Sequence, residues 1–394
     1  MTETRAGGRP RILLLSDDDE LTGTWARTRQ IAGHLAADAD VALVTLTSLT
    51  RLTSLTSGSG GDSGRAHTGG ERPVPVQHIG SAGSLNMSEE TWQRYFAQRL
   101  ERLVTSFSPD VLVTDGVFPE RVLTRICSTA QTPRVEVVSA LERRDSPADA
   151  PELRLRVEVA DLTPVGAPET ARPRRAAGPV AAVDPIIAPA VHHSGGGGDR
   201  GRVSVVDVGE LSPEAAAAVE DAALDWFSQD QRPWQVVVLD SPIGRRPSHG
   251  VQIQHGGLEA DLLRAVAVAI SVPGYRPFHT WTPAAVPTLW LTEPIGAGTS
   301  LRGAAQHRRR ERLPEHSRAQ VRRAEHAQEA GWGLCREVDG AADADRLRAL
   351  VSHALAQLCE DPATDPMEDM ARGEGAAQAA EAIIGVAGHL TINA

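Results

Sequence analysis

Short apolar runs alternate with amphipathic stretches along most of the chain. Arg11 to Ser16 (RILLLS) reads as a buried strand, stopped by the acidic cluster Asp17, Asp18, Asp19 and Glu20. A loop with Gly23, a helical pattern through Ile31 and Leu35, and a second strand at Val41 to Leu46 complete a βαβ unit. Trp92, Phe96, Leu100 and Leu103 fall at spacings of four, four and three, which predicts a helix from Glu89 to Phe107. Strands follow at Val111 to Thr114, ending in Asp115-Gly116, and at Val135 to Ser139. Residues Thr47 to Gly70, rich in Thr, Ser and Gly, predict a loop.

The stretch 166–202 carries many Pro, Ala and Gly residues, including Gly195 to Gly198, and no sustained period, so it reads as a linker. Beyond it the alternation resumes. Strands are expected at Val203 to Val208, Gln235 to Leu239, Val266 to Ser271 and Thr288 to Thr292. Helices are expected after Ser212-Pro213, over Leu258 to Ala265, from about Phe278, over Arg318 to Ala330, over Asp343 to Leu358 and in the tail. The expected organisation is an α/β chain with two Rossmann-like domains facing a central cleft: residues 1–165, the linker, and 203–394 with a helical tail.

Length agrees with this division, since 394 residues exceed the roughly 250–300 at which a single core stops growing. All 40 basic residues are arginine. No lysine exists to form a Schiff base, anchor pyridoxal phosphate or reach a nucleotide γ-phosphate. A net charge of −11 argues against general nucleic-acid binding. Cys127, Cys335 and Cys359 fall short of a disulfide framework and lack metal-ligand spacing, so no metal is expected. The opening residues contain no run long enough for a signal or a membrane span, and a cytoplasmic location is expected.

Four segments, VAISVPGYRPFHTWTPAAVPTLWL from Val268, AQVRRAEHAQEAG from Ala319, GTWARTRQIA from Gly23 and PDVLVTDG from Pro109, together resemble GT-B glycosyltransferases related to the peptidoglycan lipid N-acetylglucosaminyltransferase. Val268 to Leu291 (VAISVPGYRPFHTWTPAAVPTLWL) resembles that family's nucleotide-sugar segment, and Ala319 to Gly331 its Gln-containing segment, with Gln320 and Arg323-Ala324 in register. Gly23 to Ala32 (GTWARTRQIA) resembles the segment opening the acceptor domain, and Pro109 to Gly116 (PDVLVTDG) a common strand.

The resemblance implies transfer of a sugar from a nucleoside-diphosphate sugar to a small-molecule acceptor, with no other cofactor. The donor would lie against Ser271, Gly274, Tyr275, Arg276, His279, Thr280, Gln320 and Arg323, and the acceptor against Gly23, Trp25 and Arg27. Catalytic positions fall at Thr24 and Asp115, with Asp115 or the Asp17 to Glu20 cluster as base. The sequence departs from the family's pattern in three places. Thr24 stands where the family carries histidine, Thr280 where it carries an acid that grips the ribose, and Asp207-Val208-Gly209-Glu210 replaces a longer Gly-rich loop. Two alternatives follow from these departures: a pseudo-glycosyltransferase acting as partner or activator of another protein, and an epimerase-like enzyme using the same nucleotide sugar. Oligomeric state stays open, as does contact with a membrane surface.

Overall fold

In a computed structural model, the described residues are 8–17, 24–46, 65–66, 74–82, 84–142, 152–161, 179–186, 202–230, 233–239, 250–254, 260–294, 318–338, 344–360 and 374–392. Two compact units divide the chain: residues 1–188, 303–305 and 371–394 form the first, and 189–302 with 306–370 the second.

The first unit is built on parallel strands β1 (Arg11–Ser16), β2 (Asp40–Thr45), β4 (Val74–His78), β5 (Val111–Asp115), β6 (Arg134–Ser139), β7 (Leu153–Val159) and β8 (Val180–Val183), in the spatial order β4-β2-β1-β5-β6-β7-β8. A two-residue antiparallel strand, β3 (Arg65–Ala66), extends the β4 edge. Central strands buried on both faces need continuous apolar runs, and Ile12 to Leu15 and Val111 to Val113 are each at most 1% exposed. Helices α1 (Thr24–Leu35), α2 (Glu89–Phe107) and α3 (Glu120–Ala130) connect them. The predicted stripe on α2 is the buried one: Trp92, Phe96 and Leu100 join Leu13, Leu15 and Leu112 in one core cluster.

The second unit is a six-stranded parallel sheet. Its strands are β9 (Val203–Asp207), β10 (Gln235–Leu239), β11 (Val251–Gln254), β12 (Val266–Ser271), β13 (Thr288–Thr292) and β14 (Gly333–Glu337), ordered β11-β10-β9-β12-β13-β14. Helix α4 (Pro213–Gln229) starts as its sequence predicts. Ser212 accepts from the Ala215 N–H at 3.4 Å and Pro213 opens the helix, while Glu293 fixes the cap by accepting from the Ser212 N–H and hydroxyl at 3.1 and 2.6 Å. Helices α5 (Ala260–Ala265) and α6 (Tyr275–Trp281), a helix over 318–329 labelled α7, and α8 (Ala344–Glu360) follow.

Two expectations about organisation are corrected. The stretch 166–202 contains β8, which pairs with β7 from Arg156↔Val180 to Val159↔Val183 and extends the first sheet. The terminal helix α9 (Gly375–Ile392) belongs to the first unit, not to a domain spanning 203–394. It buries Ala376, Ala379, Ala380, Ile383 and Ala387, and Gln378 of α9 both donates to the Asp184 carboxylate at 2.7 Å and accepts from the Asp184 N–H at 2.8 Å. Small residues let this helix approach closely: a Cβ built on Gly375 would lie 2.0 Å from the Asp184 carbonyl oxygen.

Candidate functional site

Each sheet reverses its winding once. In open α/β sheets, the loops that diverge at the carboxyl ends of the two strands flanking the reversal leave room for a ligand. In the first unit these strands are β1 and β5, and in the second β9 and β12. The resemblance segments fall at both places.

At the first reversal, Asp17 and Gly116 leave adjacent strand ends. The Asp17 N–H donates to the Asp115 carbonyl at 3.0 Å, and Asp17 Oδ2 accepts from the Val117 N–H at 3.0 Å. Gly116 has φ +116°, and a Cβ there would lie 2.2 Å from that of Asp17, so the close approach requires glycine. The Thr24 hydroxyl donates to the Asp17 carbonyl at 2.8 Å and ties the start of α1 to this turn.

Arg27, one turn further along α1, makes a bidentate pair with Asp115: Nε to Oδ2 at 2.9 Å and Nη2 to Oδ1 at 2.5 Å. Thr28 adds a hydroxyl donor to Oδ2 at 3.1 Å. Arg27 and Asp115 are 2% and 1% exposed.

This geometry corrects the expectation of Asp115 as base and Arg27 as acceptor ligand. Both carboxylate oxygens are engaged by Arg27 and Thr28, and the pair is shut away from solvent. Thr24, also buried, directs its proton at a main-chain carbonyl. Asp17 is partly exposed and Trp25 partly buried, while Gly23 and Asp18 to Glu20 lie outside the described residues. Thr28 was missed in the sequence because nothing in its spacing distinguishes it from a helix-surface threonine.

At the second reversal, the turn after β12 runs Ser271-Val272-Pro273-Gly274 into α6. The Val272 N–H donates to the Asp207 carbonyl at 3.3 Å and joins the ends of β9 and β12. Ser271 is fully buried and its hydroxyl turns to the Val272 carbonyl at 3.3 Å. Arg276 is the more accessible cation, its side chain 26% exposed and 3.8 Å from the Asp207 carboxylate.

Arg323 of α7 is 1% exposed, lies over the Tyr275 ring at 5.6 Å, and donates to the Pro273 carbonyl at 3.5 Å. Gln320 and Arg323 are thus brought to the same turn as Gly274. Of the neighbouring arginines, Arg318 and Arg322 are exposed, whereas Arg302, Arg308, Arg309, Arg310 and Arg312 lie outside the described residues.

Two donor-side expectations change. His279 is 4% exposed, packed on Tyr275 with ring centroids 4.2 Å apart and edge-on to Phe278, so it is a core ring and not one presented to a ligand in solvent. Thr280 donates to the Arg276 carbonyl one turn back at 2.8 Å, which spends its hydroxyl proton inside the helix. Trp281 and Trp290 are core residues, at most 1% exposed.

The residue that sequence reasoning passed over is Glu210. Its carboxylate lies against the Cα of Gly274: a Cβ there would be 2.3 Å from Oε1 and 2.8 Å from Oε2. Gln320 donates to Oε2 at 2.6 Å. Asp207 and Glu210 therefore bring two carboxylates to a turn served by Arg276, Arg323 and Gln320. The visible signal was an acid at the end of a shortened glycine loop.

Among the described residues, no group of three or more His, Cys, Asp or Glu side chains is arranged to hold a metal ion, and no helix is long and apolar enough to cross a membrane.

No protein-family model matches the chain, and no curated protein matches it by sequence. Solved structures do match it over nearly its whole length. Arabidopsis thaliana UGT89C1 in complex with quercetin aligns with a TM-score of 0.56 at 13% identity, covering 95% of this chain and 100% of that one. The glycotransferase of kitacinnamycin aligns at 0.53 and 13% identity over 96% and 100%, and CalG4, the calicheamicin glycosyltransferase, at 0.51 and 14% over 97% and 99%. At such identities the likeness is one of fold: this chain carries the two Rossmann-like sheets of the GT-B glycosyltransferases, in the same order along the sequence.

Proposed function

We propose that this protein binds a nucleoside-diphosphate sugar at the second unit's strand reversal and transfers the sugar to a small-molecule acceptor. The observation that carries the reading is the meeting of Gly274, Arg276, Gln320 and Arg323, drawn from two separate resemblance segments, at the strand reversal, where open α/β sheets bind their ligands. The resemblance among GT-B enzymes is to relatives of the peptidoglycan lipid N-acetylglucosaminyltransferase.

In this reading Arg276 is the side chain that meets the leaving diphosphate, with a planar fork suited to phosphate oxygens. Arg323 is a positioning residue: from its buried place it holds the Pro273 carbonyl and the Tyr275 ring, and so the shape of the turn. Gln320 lies on the sugar or ribose side. With Asp115 committed to Arg27, the acceptor's proton goes to Asp17, the partly exposed carboxylate at the end of β1. Electrostatic stabilisation of the departing diphosphate supplies much of the rate.

UGT89C1 is described in complex with UDP and with UDP-L-rhamnose, which makes UDP-sugars the first donors to try. Calorimetric titration with UDP-, TDP- and GDP-sugars, followed by assay of released nucleotide in the presence of candidate acceptors, tests the reading. Binding together with acceptor-dependent nucleotide release supports it. No heat with any donor removes it.

A second reading is favoured by a specific set of contacts. The hydroxyls at both altered family positions, Thr24 and Thr280, are turned to main-chain carbonyls, and Asp115 is paired with Arg27. A fold kept with such commitments suits a non-catalytic partner of another enzyme. Co-purification with that enzyme, without nucleotide binding, is its expected signature.

A further inference from the structure

We propose that Glu210 weakens the hold of this turn on the diphosphate part of a nucleotide, because its carboxylate already fills the space over Gly274 where that diphosphate would come to rest. The inference builds on the nucleotide-sugar reading above.

Three observations carry it. Glu210 lies so near Gly274 that a Cβ there would stand 2.3 Å from Oε1, so the carboxylate occupies the space that the missing side chain leaves open. Its hold is specific, since Gln320 donates to Oε2 at 2.6 Å and so spends on this acid a donor that a ligand's oxygen would otherwise take. The backbone behind it is fixed, with the Leu211 N–H bonded to the Val208 carbonyl at 3.0 Å and Ser212 locked to Glu293.

The local charge points the same way. Asp207 stands 3.8 Å from Arg276, and Arg323 is buried against the Pro273 carbonyl. An incoming diphosphate must expel one carboxylate while facing another, with Arg276 the accessible cation. Like charges brought together at a partly desolvated site oppose binding. The uncharged part of a nucleotide meets no such opposition.

The test is calorimetric titration of the full-length wild type, Glu210→Gln and Glu210→Ala with UDP, TDP and GDP, and with the nucleosides uridine, thymidine and guanosine. The expected result is that Glu210→Ala binds at least one diphosphate roughly ten-fold or more tightly than the wild type, while nucleoside affinity changes less than about two-fold. Glu210→Gln, which keeps the volume and a partner for Gln320, carries the charge comparison by itself should the alanine variant lose its fold.

Equal diphosphate affinity in all three proteins overturns this inference and leaves the nucleotide-sugar reading standing. So does a nucleoside gain equal to the diphosphate gain, because the obstacle is then bulk and not charge. If no protein of the three binds any nucleotide, the reading itself falls and this inference with it.

Discussion

Arg27 and Asp115 form a buried bidentate ion pair that joins helix α1 to the end of strand β5, with N···O distances of 2.9 and 2.5 Å. They are 88 residues apart in the chain, and both sit in segments that resemble a glycosyltransferase acceptor domain. Their pairing turns two candidate site residues into an internal strut.

Breaking one side of that pair strands a charge in the core. Asp115→Ala is expected to destabilise the protein by about 3–5 kcal/mol, as for other buried pairs that lose one partner. Urea denaturation measures it. The double variant Arg27→Met, Asp115→Ala should lose less than the two single changes combined. Additive losses would mean that the two side chains do not depend on each other.

Asp17→Asn separates proton transfer from structure. Asparagine Oδ1 can still accept from the Val117 N–H, which now bonds Asp17 Oδ2 at 3.0 Å, so the turn beside Gly116 should persist. If Asp17 is the base, kcat falls by roughly 10²–10⁴-fold while the denaturation midpoint stays close to the wild type's. A variant with full transfer activity would remove Asp17 from the reaction.

Arg276→Lys keeps the charge but not the fork. The expected loss in nucleotide affinity is about 1.5–3 kcal/mol, the worth of a hydrogen bond to a charged group. Titration of the lysine variant with the best-bound nucleotide reads this directly, and an unchanged Kd would place the diphosphate elsewhere. In a chain without lysine, this is a test of geometry and not a conservative control.

Cys127 gives a prediction about pH. Burial raises its thiol from 9.0 to about 12; nearby Glu152 and Glu120 add to the rise, and Arg134 acts against it. In the folded protein it should therefore resist iodoacetamide at pH 8 and react once the chain is unfolded, which mass spectrometry can follow. The sign for stability is fixed by the raised folded-state value. Above about pH 9 the unfolded chain releases this proton while the folded chain keeps it, so the contribution is full below pH 9 and is lost as pH rises toward 12. Cys127→Ala should flatten that part of the pH–stability curve.

Much of the fold was legible because its signals are local. The apolar runs at Arg11–Ser16, Gln235–Leu239, Val266–Ser271 and Thr288–Thr292 and the helical stripe at Glu89–Phe107 match the observed elements end to end. The strands β3, β4, β7, β8, β11 and β14 went unread; β7 (LRLRVEV) was missed although its residues are largely buried and β-prone, whereas β11 and β8 carry weaker patterns. β11 (VQIQ) is partly exposed along its length, and β8 (VAAV) lies inside a stretch whose Pro, Ala and Gly content suggests a linker. Their strand character comes from pairing with β10 and β7, which no local propensity records.

The candidate site divides in the same way. The resemblance pointed to Gly274, Arg276, Gln320 and Arg323, because its motifs are runs of neighbouring residues. That Asp115 is spent on Arg27, that His279 is a core ring, and that Glu210 lies on Gly274 depend on contacts between segments from 64 to 88 residues apart, or on which face of a short helix turns inward. Periodicity and composition therefore indicated the α/β class and the two successive sheets, though not every strand in them. Folding decided which charges face solvent and which cancel one another, because hydrogen bonding and burial act between side chains that the chain brings together only in three dimensions.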